Sequence, residues 1–173
     1  MTYVTQELYD NFLPSEEFKK IHDLIMSEDY PWHWGHVIGG DNPHRQLSHL
    51  IYFYTRPLHE AYDSMMSIVC DKRLKVAAPC RIKANLNPRT AEHVRHGFHV
   101  DVPFECTTAI FYVNNNNGYT EFEDGTKINA VANRLVTFPS TLKHSGVTTT
   151  DTDRKVVINF NYFESEHQFM ETD

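Results

Sequence analysis

Basic charge is scarce in this 173-residue chain: Lys and Arg number 16 against 23 Asp and Glu, a formal net charge of −7. A protein whose affinity comes from phosphate contacts carries the opposite balance, so nucleic acid is disfavoured as a partner. Cysteine is scarcer still, represented by Cys70, Cys80 and Cys106. An odd number without Cys-x-x-Cys spacing supports neither a disulfide framework nor a zinc ribbon, and a reducing, cytoplasmic setting is expected. No apolar run approaches the length of a membrane span. The opening MTYVTQELYD has neither the basic nor the apolar segment of an export signal, so a soluble chain with no membrane partner is expected. Internal repeats are absent as well. With 40% hydrophobic residues the chain can bury one sizeable core, and a single domain over residues 1–173 is the expectation.

What is present divides the chain in two. Up to about residue 75 the pattern is helical. In PSEEFKKIHDLIMSED, Pro14 and Ser15 give a start signal, Glu16 and Glu17 occupy the first turn, and Phe18, Ile21, Leu24 and Ile25 recur on one face. A second helix is expected near 57–72, where Leu58, Tyr62, Met65 and Val69 supply the stripe. From about 76 to 165 the texture turns to β-branched and aromatic runs: RIKANLN, TTAIFYVN, YTEFED, RLVTFPS and VVINFNYF. Breaks at NNNNG, EDG and TTTDTD fall at the short spacings of antiparallel strands in a sandwich or jelly roll. The expected architecture is mainly β, with N-terminal helices buttressing one face and the other face free for a site. Charge is uneven along the chain. Between 71 and 95, Lys72, Arg73, Lys75, Arg81, Lys83, Arg89 and Arg95 face only Asp71 and Glu92, an excess suited to a small anion.

The stretch HGFHVDVP, 96–103, carries candidate metal ligands. On an extended strand, side chains two apart share a face, so His99 and Asp101 project together and His96 does not join them. Gly97 and Pro103 argue against a helix that would align His93, His96 and His99. A His-x-Asp match is weak alone in a chain with 11 histidines. It gains weight from His144, which opens a later strand in RLVTFPSTLKHSG. Two histidines and a carboxylate on a β-scaffold form the facial triad of non-haem Fe(II) oxygenases, with positions left open for substrate and oxygen. A structural zinc would need a fourth protein ligand, and none is evident.

Four segments, in order, resemble the 2-oxoglutarate and Fe(II)-dependent dioxygenases, in particular the prolyl 4-hydroxylase-like branch. His99-Val100-Asp101 matches the His-x-Asp, and TTAIFYVN resembles the strand ending Tyr-Leu-Asn. GYTEF resembles the Gly-Gly-x-Thr-x-Phe strand, and NRLVTFPSTLKHSGVTTTDTDRKVVINFNYF resembles the closing strands. The likeness spans roughly residues 80–163. It implies a double-stranded β-helix, cupin-like core and a hydroxylase using Fe(II), 2-oxoglutarate and O2, with ascorbate as a candidate reductant. It further implies that His99, Asp101 and His144 hold the iron. Arg154, ten positions after the second histidine, and Tyr112 would then bind the far carboxylate of the cosubstrate. An arginine fork suits a carboxylate and stays charged when partly buried, while Lys155 is assigned to the opposite face. Two departures stand out: Asn85 and Asn87 occupy the place of an aromatic, and His144-Ser145-Gly146-Val147 replaces His-x-Val, a possible shift of register by one.

The substrate implied is a prolyl or other protein side chain, or an amino-acid-like small molecule. WHWGH, 32–36, and the Gly, Asn and Pro-containing stretch IGGDNPHRQ, 38–46, are candidate rim and lid, while His93 and His96 are candidate supports of the metal motif. The competing reading is a non-catalytic, cupin-like metal-binding or sensing module. Arg154 and Tyr112 separate the two, because a mere metal binder has no need of a cation at the bottom of the pocket.

Overall fold

The computed structural model describes residues 6–36 and 45–165. Helix α1 runs Ser15–Met26 and buries Ile21 and Ile25, with Glu16 and Glu17 in its first turn, where the unpaired amides favour negative charge. Helix α2, Ala61–Val69, buries Ala61, Met65, Ile68 and Val69.

The expectation of a helical segment up to about residue 75 needs correction. Four strands lie within it: β1 (Glu7–Tyr9), β2 (His33–His36), β3 (Arg45–Phe53) and β4 (Arg56–Pro57). The sequence RQLSHLIYF of β3 mixes polar and apolar residues without a clear period. Its strand form comes from pairing along β5 (Val76–Pro88), from Leu47↔Leu86 to Phe53↔Arg81, a tertiary preference that local propensity does not carry.

The remaining strands follow the sequence pattern: β6 (Thr107–Tyr112), β7 (Tyr119–Phe122), β8 (Lys127–Asn129), β9 (Arg134–Pro139), β10 (His144–Val147) and β11 (Arg154–Glu164). An eight-stranded antiparallel sheet runs β1-β9-β6-β11-β5-β3-β2, with β4 on β3, and a three-stranded sheet runs β10-β7-β8. The result is a mainly β jelly roll with its helices on one side.

Alternation along the central strands sorts the two faces. From β5, Ile82, Ala84 and Leu86, and from β11, Val156, Ile158, Phe160 and Tyr162, join the helical residues Ile21, Ile25, Met65 and Ile68 in the main core. On the other face, Ile110, Tyr112 and Val157 of the large sheet meet Phe122, Val136 and Phe138 in a second, smaller core. Phe18 of α1 meets Phe111 of β6 edge to face at 6.2 Å, which ties the helical layer to the sheet.

Asn133 fixes the N-terminal segment to this body. It adopts φ 62°, a left-handed conformation that Asn tolerates better than most residues. Its Oδ1 accepts from the Leu13 amide at 2.9 Å, and its Nδ2 donates to the Leu13 carbonyl at 2.8 Å. All of these groups are buried. Asn133→Ala should therefore lower unfolding free energy by about 2–4 kcal/mol, since two buried backbone groups lose their partners. Urea denaturation of the purified protein measures this, and a loss below about 0.5 kcal/mol would contradict it.

Candidate metal centre and cavity

The segment 94–99 lies against β10 on the side away from β7. Arg95 bridges Val147 and His99 bridges His144, with His99 and His144 exchanging both backbone hydrogen bonds at 3.0 Å. The Ser145 hydroxyl donates to the His96 carbonyl, and the His96 amide donates to Gly146 at 3.1 Å. The expectation of a strand ending in His-x-Asp is thus refined: His99 sits in an isolated bridge and Asp101 in a bend. Gly97 and Pro103 do not support a continuous ladder here. His99 and His144 stand directly opposite, their rings 4.9 Å apart.

Ligand atoms of His99, Asp101 and His144 all lie within 4.8 Å of one another. The His99 Nδ1–H donates to the Gly97 carbonyl at 3.0 Å. His144 Nδ1 faces the Leu142 carbonyl at 3.4 Å. Because a carbonyl can only accept, each ring carries its proton at Nδ1 and turns the Nε2 lone pair inward. Those Nε2 atoms stand 3.7 and 3.9 Å from Asp101 Oδ1, too far for hydrogen bonds. When both rings are neutral, three electron-pair donors thus face one another; without a cation between them the Asp101 carboxylate outweighs burial and raises the His99 imidazole. Two bonds of about 2.0–2.2 Å span such a gap, so the donor set fits a divalent cation.

The surroundings reinforce the charge pattern. Asn159 Nδ2 donates to Asp101 Oδ2 at 2.9 Å, and Arg81 Nη1 lies 3.8 Å from the same oxygen. Burial alone would raise the Asp101 carboxyl. When no cation is bound, the His99 and His144 imidazoles in their protonated form, the Arg81 guanidinium and the Asn159 amide instead hold it well below the usual carboxylate range. Burial also lowers the His144 imidazole, keeping it neutral as a ligand requires.

A cavity of about 60 Å³ opens beside this triad. The polar alternates of β5 and β11 line it: Arg81, Lys83, Asn85 and Asn87 from one strand, Lys155 and Asn159 from the other. The strands pair Lys155 with Asn87, Val157 with Asn85, Asn159 with Lys83 and Asn161 with Arg81, so these side chains form adjacent rungs on one face. Asp101 touches the Asn159 and Arg81 end. Lys155 lies four residues further along β11, about 13 Å in strand length.

This placement corrects which of the two cations of β11 faces the cavity. Arg154 does not line the cavity; its Nη2 donates to the carbonyl of Met26 at the end of α1, at 2.9 Å, where a guanidinium satisfies an orphan helix carbonyl. Lys155 faces inward. It is 2% exposed, and its Nζ donates to the carbonyls of Tyr119 at 2.7 Å and Val147 at 2.9 Å. Burial pushes its ammonium down to about 7. The signal was in the sequence: Val156, Ile158, Phe160 and Tyr162 form the apolar alternate of β11, which leaves Lys155 and not Arg154 on the polar face. The stem of Lys155 needs Gly118, where a Cβ would lie 2.9 Å from Lys155 Cδ and 2.8 Å from the Val147 carbonyl oxygen. Gly146 faces the same space, with Lys155 Nζ 3.8 Å from where its Cβ would be.

The other expected residues scatter. Tyr112 is fully buried in the smaller core, and its hydroxyl donates to Thr120 Oγ1 at 2.7 Å. Thr120 lines the cavity and Tyr112 does not. His96 lines it and is 4% exposed, whereas His93 contacts the Thr148 carbonyl at 2.8 Å. Trp34 is exposed, and Trp32 packs on the main core against Tyr30, ring to ring at 4.9 Å. Of the candidate lid, residues 38–44 lie outside the described residues, and Gln46 reaches the cavity. Two lining groups lack partners among the described residues: Asn85 Oδ1 and Asn87 Nδ2, both buried. Unpaired buried amides of this kind point to something that binds them.

No protein-family model matches the sequence, and no curated protein matches it. Solved structures do. A prolyl hydroxylase from Trichoplax adhaerens, in complex with a hypoxia inducible factor oxygen degradation domain peptide, is 18% identical with a TM-score of 0.65, covering 99% of this chain and 89% of that one. An oxidoreductase of the 2OG-Fe(II) oxygenase family from Burkholderia pseudomallei is 9% identical with a TM-score of 0.70, covering 91% and 84%. The epimerase SnoN of nogalamycin biosynthesis, in complex with Fe3+, alpha ketoglutarate and nogalamycin RO, is 13% identical with a TM-score of 0.63, covering 93% and 79%. Over more than nine-tenths of its length, this chain therefore has the fold shared by prolyl hydroxylases and other 2-oxoglutarate and Fe(II)-dependent oxygenases.

Proposed function

We propose that the chain is a non-haem Fe(II)- and 2-oxoglutarate-dependent oxygenase that hydroxylates an unactivated C–H bond. The candidate substrates are a prolyl or other protein side chain, or an amino-acid-like small molecule. The observation that carries this reading is the convergence of His99, Asp101 and His144 on one point, with a buried lysine at the far end of the same cavity. Fe(II) and 2-oxoglutarate, with O2, supply oxidative decarboxylation to succinate and CO2 coupled to insertion of one oxygen atom into the C–H bond.

The chain's own residues do the rest. His99, Asp101 and His144 would ligate iron, and they offer one face of its coordination sphere while the cavity keeps the other open. Asn159 holds the Asp101 carboxylate in its orientation, and the Gly97 and Leu142 carbonyls hold the imidazoles. Lys155 would take the far carboxylate of 2-oxoglutarate. The unpartnered Asn87 Nδ2, directly across from Lys155 on β5, and the Thr120 hydroxyl are the further donors there. Tyr112 supports this end through Thr120. Ile110 and Val157 give the cavity its apolar wall, which excludes water from the space between the two ends. A metal-binding module without catalysis gains nothing from burying a lysine, which costs free energy unless an anion meets it. The choice of C–H bond stays open, since the fold also serves an epimerase.

Mn(II) or anaerobic Fe(II) at 100 times its dissociation constant should stabilise the protein by about 2.7 kcal/mol, read as a rise in melting temperature. His99→Ala and Asp101→Ala should abolish that rise, and an unchanged rise in both would refute the triad.

Lys155→Met should weaken 2-oxoglutarate binding at least 30-fold, about 2 kcal/mol, while sparing metal binding. Arg154→Ala should leave it within about twofold, because Arg154 lies outside the cavity. Calorimetric titration of the metal-loaded protein separates the two, and the opposite ranking would restore Arg154.

Lys155 also sets a pH dependence. Below about 7 it carries the charge that a carboxylate needs; above 7 the free protein holds it neutral and binding must take up a proton. Affinity for 2-oxoglutarate should fall by up to tenfold per pH unit between about 7 and 9, with net proton uptake in buffers of different ionisation enthalpy. A flat profile would show that Lys155 stays charged.

A further inference from the structure

The charges in the cavity do not cancel once the proposed iron and cosubstrate are in place. Among the described residues, Asp101 is the only carboxylate lining it, against Arg81, Lys83 and Lys155. With neutral imidazoles, a divalent ion is balanced by Asp101 and the near carboxylate of 2-oxoglutarate, and Lys155 by the far carboxylate. Arg81 and Lys83 are left over.

Neither cation is at the surface for solubility. Arg81 is 9% exposed, and one amino group of its fork donates to Asn161 Oδ1 at 3.0 Å. Lys83 is half-buried, and no hydrogen bond from its Nζ is formed among the described residues. The two side chains are next but one on β5 and share its cavity face, so they repel each other in a medium of low dielectric. Burial, and then that repulsion, push the Lys83 ammonium down, with Asp101 opposing them. Beside Lys83 on the same face lies Asn85, whose Oδ1 is buried and unpartnered. Asp101, 3.8 Å from Arg81 and shared with the proposed metal, answers at most one of these charges, so the pair is costly unless a further anion meets it.

Position separates this pair from the cosubstrate's end. Lys83 pairs across with Asn159, which holds Asp101, and Arg81 lies beyond it. Lys155 is at the opposite end of β11's cavity face. We infer that the primary substrate carries an oxyanion, a carboxylate or a phosphate, that Arg81 and Lys83 receive on the metal's far side from Lys155. This inference rests on the oxygenase reading and adds the substrate's charge. The anion anchors the substrate within reach of the metal, and Asn85 Oδ1 is free to accept a neighbouring N–H or hydroxyl.

The test uses protein loaded with Mn(II) and saturating 2-oxoglutarate, which fills the Lys155 end. Paramagnetic broadening of proton signals is then measured for matched probes: N-acetylproline and its N-methylamide, and N-acetylphosphoserine N-methylamide and its unphosphorylated counterpart. At least one anionic probe should be broadened with an affinity at least tenfold above its neutral match. Lys83→Met should remove that preference while leaving 2-oxoglutarate binding intact, and Lys83→Arg should restore it. Preference for the first pair assigns a carboxylate, and for the second a phosphate. Equal broadening of charged and neutral probes, or none for either anion, overturns the inference and leaves the oxygenase reading standing. Loss of 2-oxoglutarate binding in Lys83→Met overturns it too, by making Lys83 part of the cosubstrate's end. Failure of the wild type to bind Mn(II) or 2-oxoglutarate removes the oxygenase reading, and this inference with it.

Discussion

One register of strand pairing underlies the whole arrangement: β5 and β11 side by side, with Lys155 opposite Asn87 and Asn161 opposite Arg81. Strand side chains alternate strictly, so this register puts Ile82, Ala84, Leu86, Val156, Ile158 and Phe160 against the helices and leaves the polar set on the opposite face. A slip of one residue would turn the charges into the core and the aliphatics into the cavity. The apolar face therefore enforces the geometry of the polar one. Burial of the aliphatic set is worth roughly 1.5–3 kcal/mol per large side chain, ample to hold a rigid floor of amides and cations.

The smaller sheet supplies the other half of the site by a different device. The short β10 is flanked by β7 on one side and by segment 94–99 on the other. Local hydrogen bonds set the direction of each imidazole: the carbonyls two residues before His99 and His144 face their Nδ1 atoms. The donor set is thus preorganised from both sides, with the ring orientation fixed before any ion arrives. Asp101 comes from a bend and needs separate support, which Asn159 provides from the floor. The bend and the floor meet at this contact, so the candidate metal ligands and the cavity floor form one network.

Much of this was legible from residues alone, and the failures have physical causes. The helices at 15–26 and 61–69 and the strands from 76 onward follow from period and turn residues. The strand at 45–53 did not, because RQLSHLIYF has no clear alternation and takes its form from β5. The clustering of His99, Asp101 and His144 followed from the motif, although the motif lies in a bridge and a bend. Arg154 was expected in the cavity because a spacing of ten from His144 was given more weight than the alternation of β11, which puts Lys155 there instead. Reading Val156, Ile158 and Phe160 as the core face would have put Arg154 on the helix side and Lys155 in the cavity. The basic excess at 71–95 was visible as composition, but only the fold separates Arg81 and Lys83 from the surface residues around them.

A lysine at position 155 is a different solution from an arginine. A guanidinium stays charged at any ordinary pH and would keep its desolvation cost whenever the cavity lacked an anion. An ammonium pushed down to about 7 can lose its proton and avoid that cost. In the free protein, the Tyr119 and Val147 carbonyls accept from Nζ in either state, so deprotonation leaves no backbone oxygen without its donor. Gly118 and Gly146 make room for this stem and head, and neither glycine has a positive φ to explain it. Their smallness serves space. The tight position is Gly118, where a Cβ would lie 2.9 Å from Lys155 Cδ and displace the cation at the far end of the cavity, whereas a Cβ at Gly146 would meet Nζ only at ordinary contact distance.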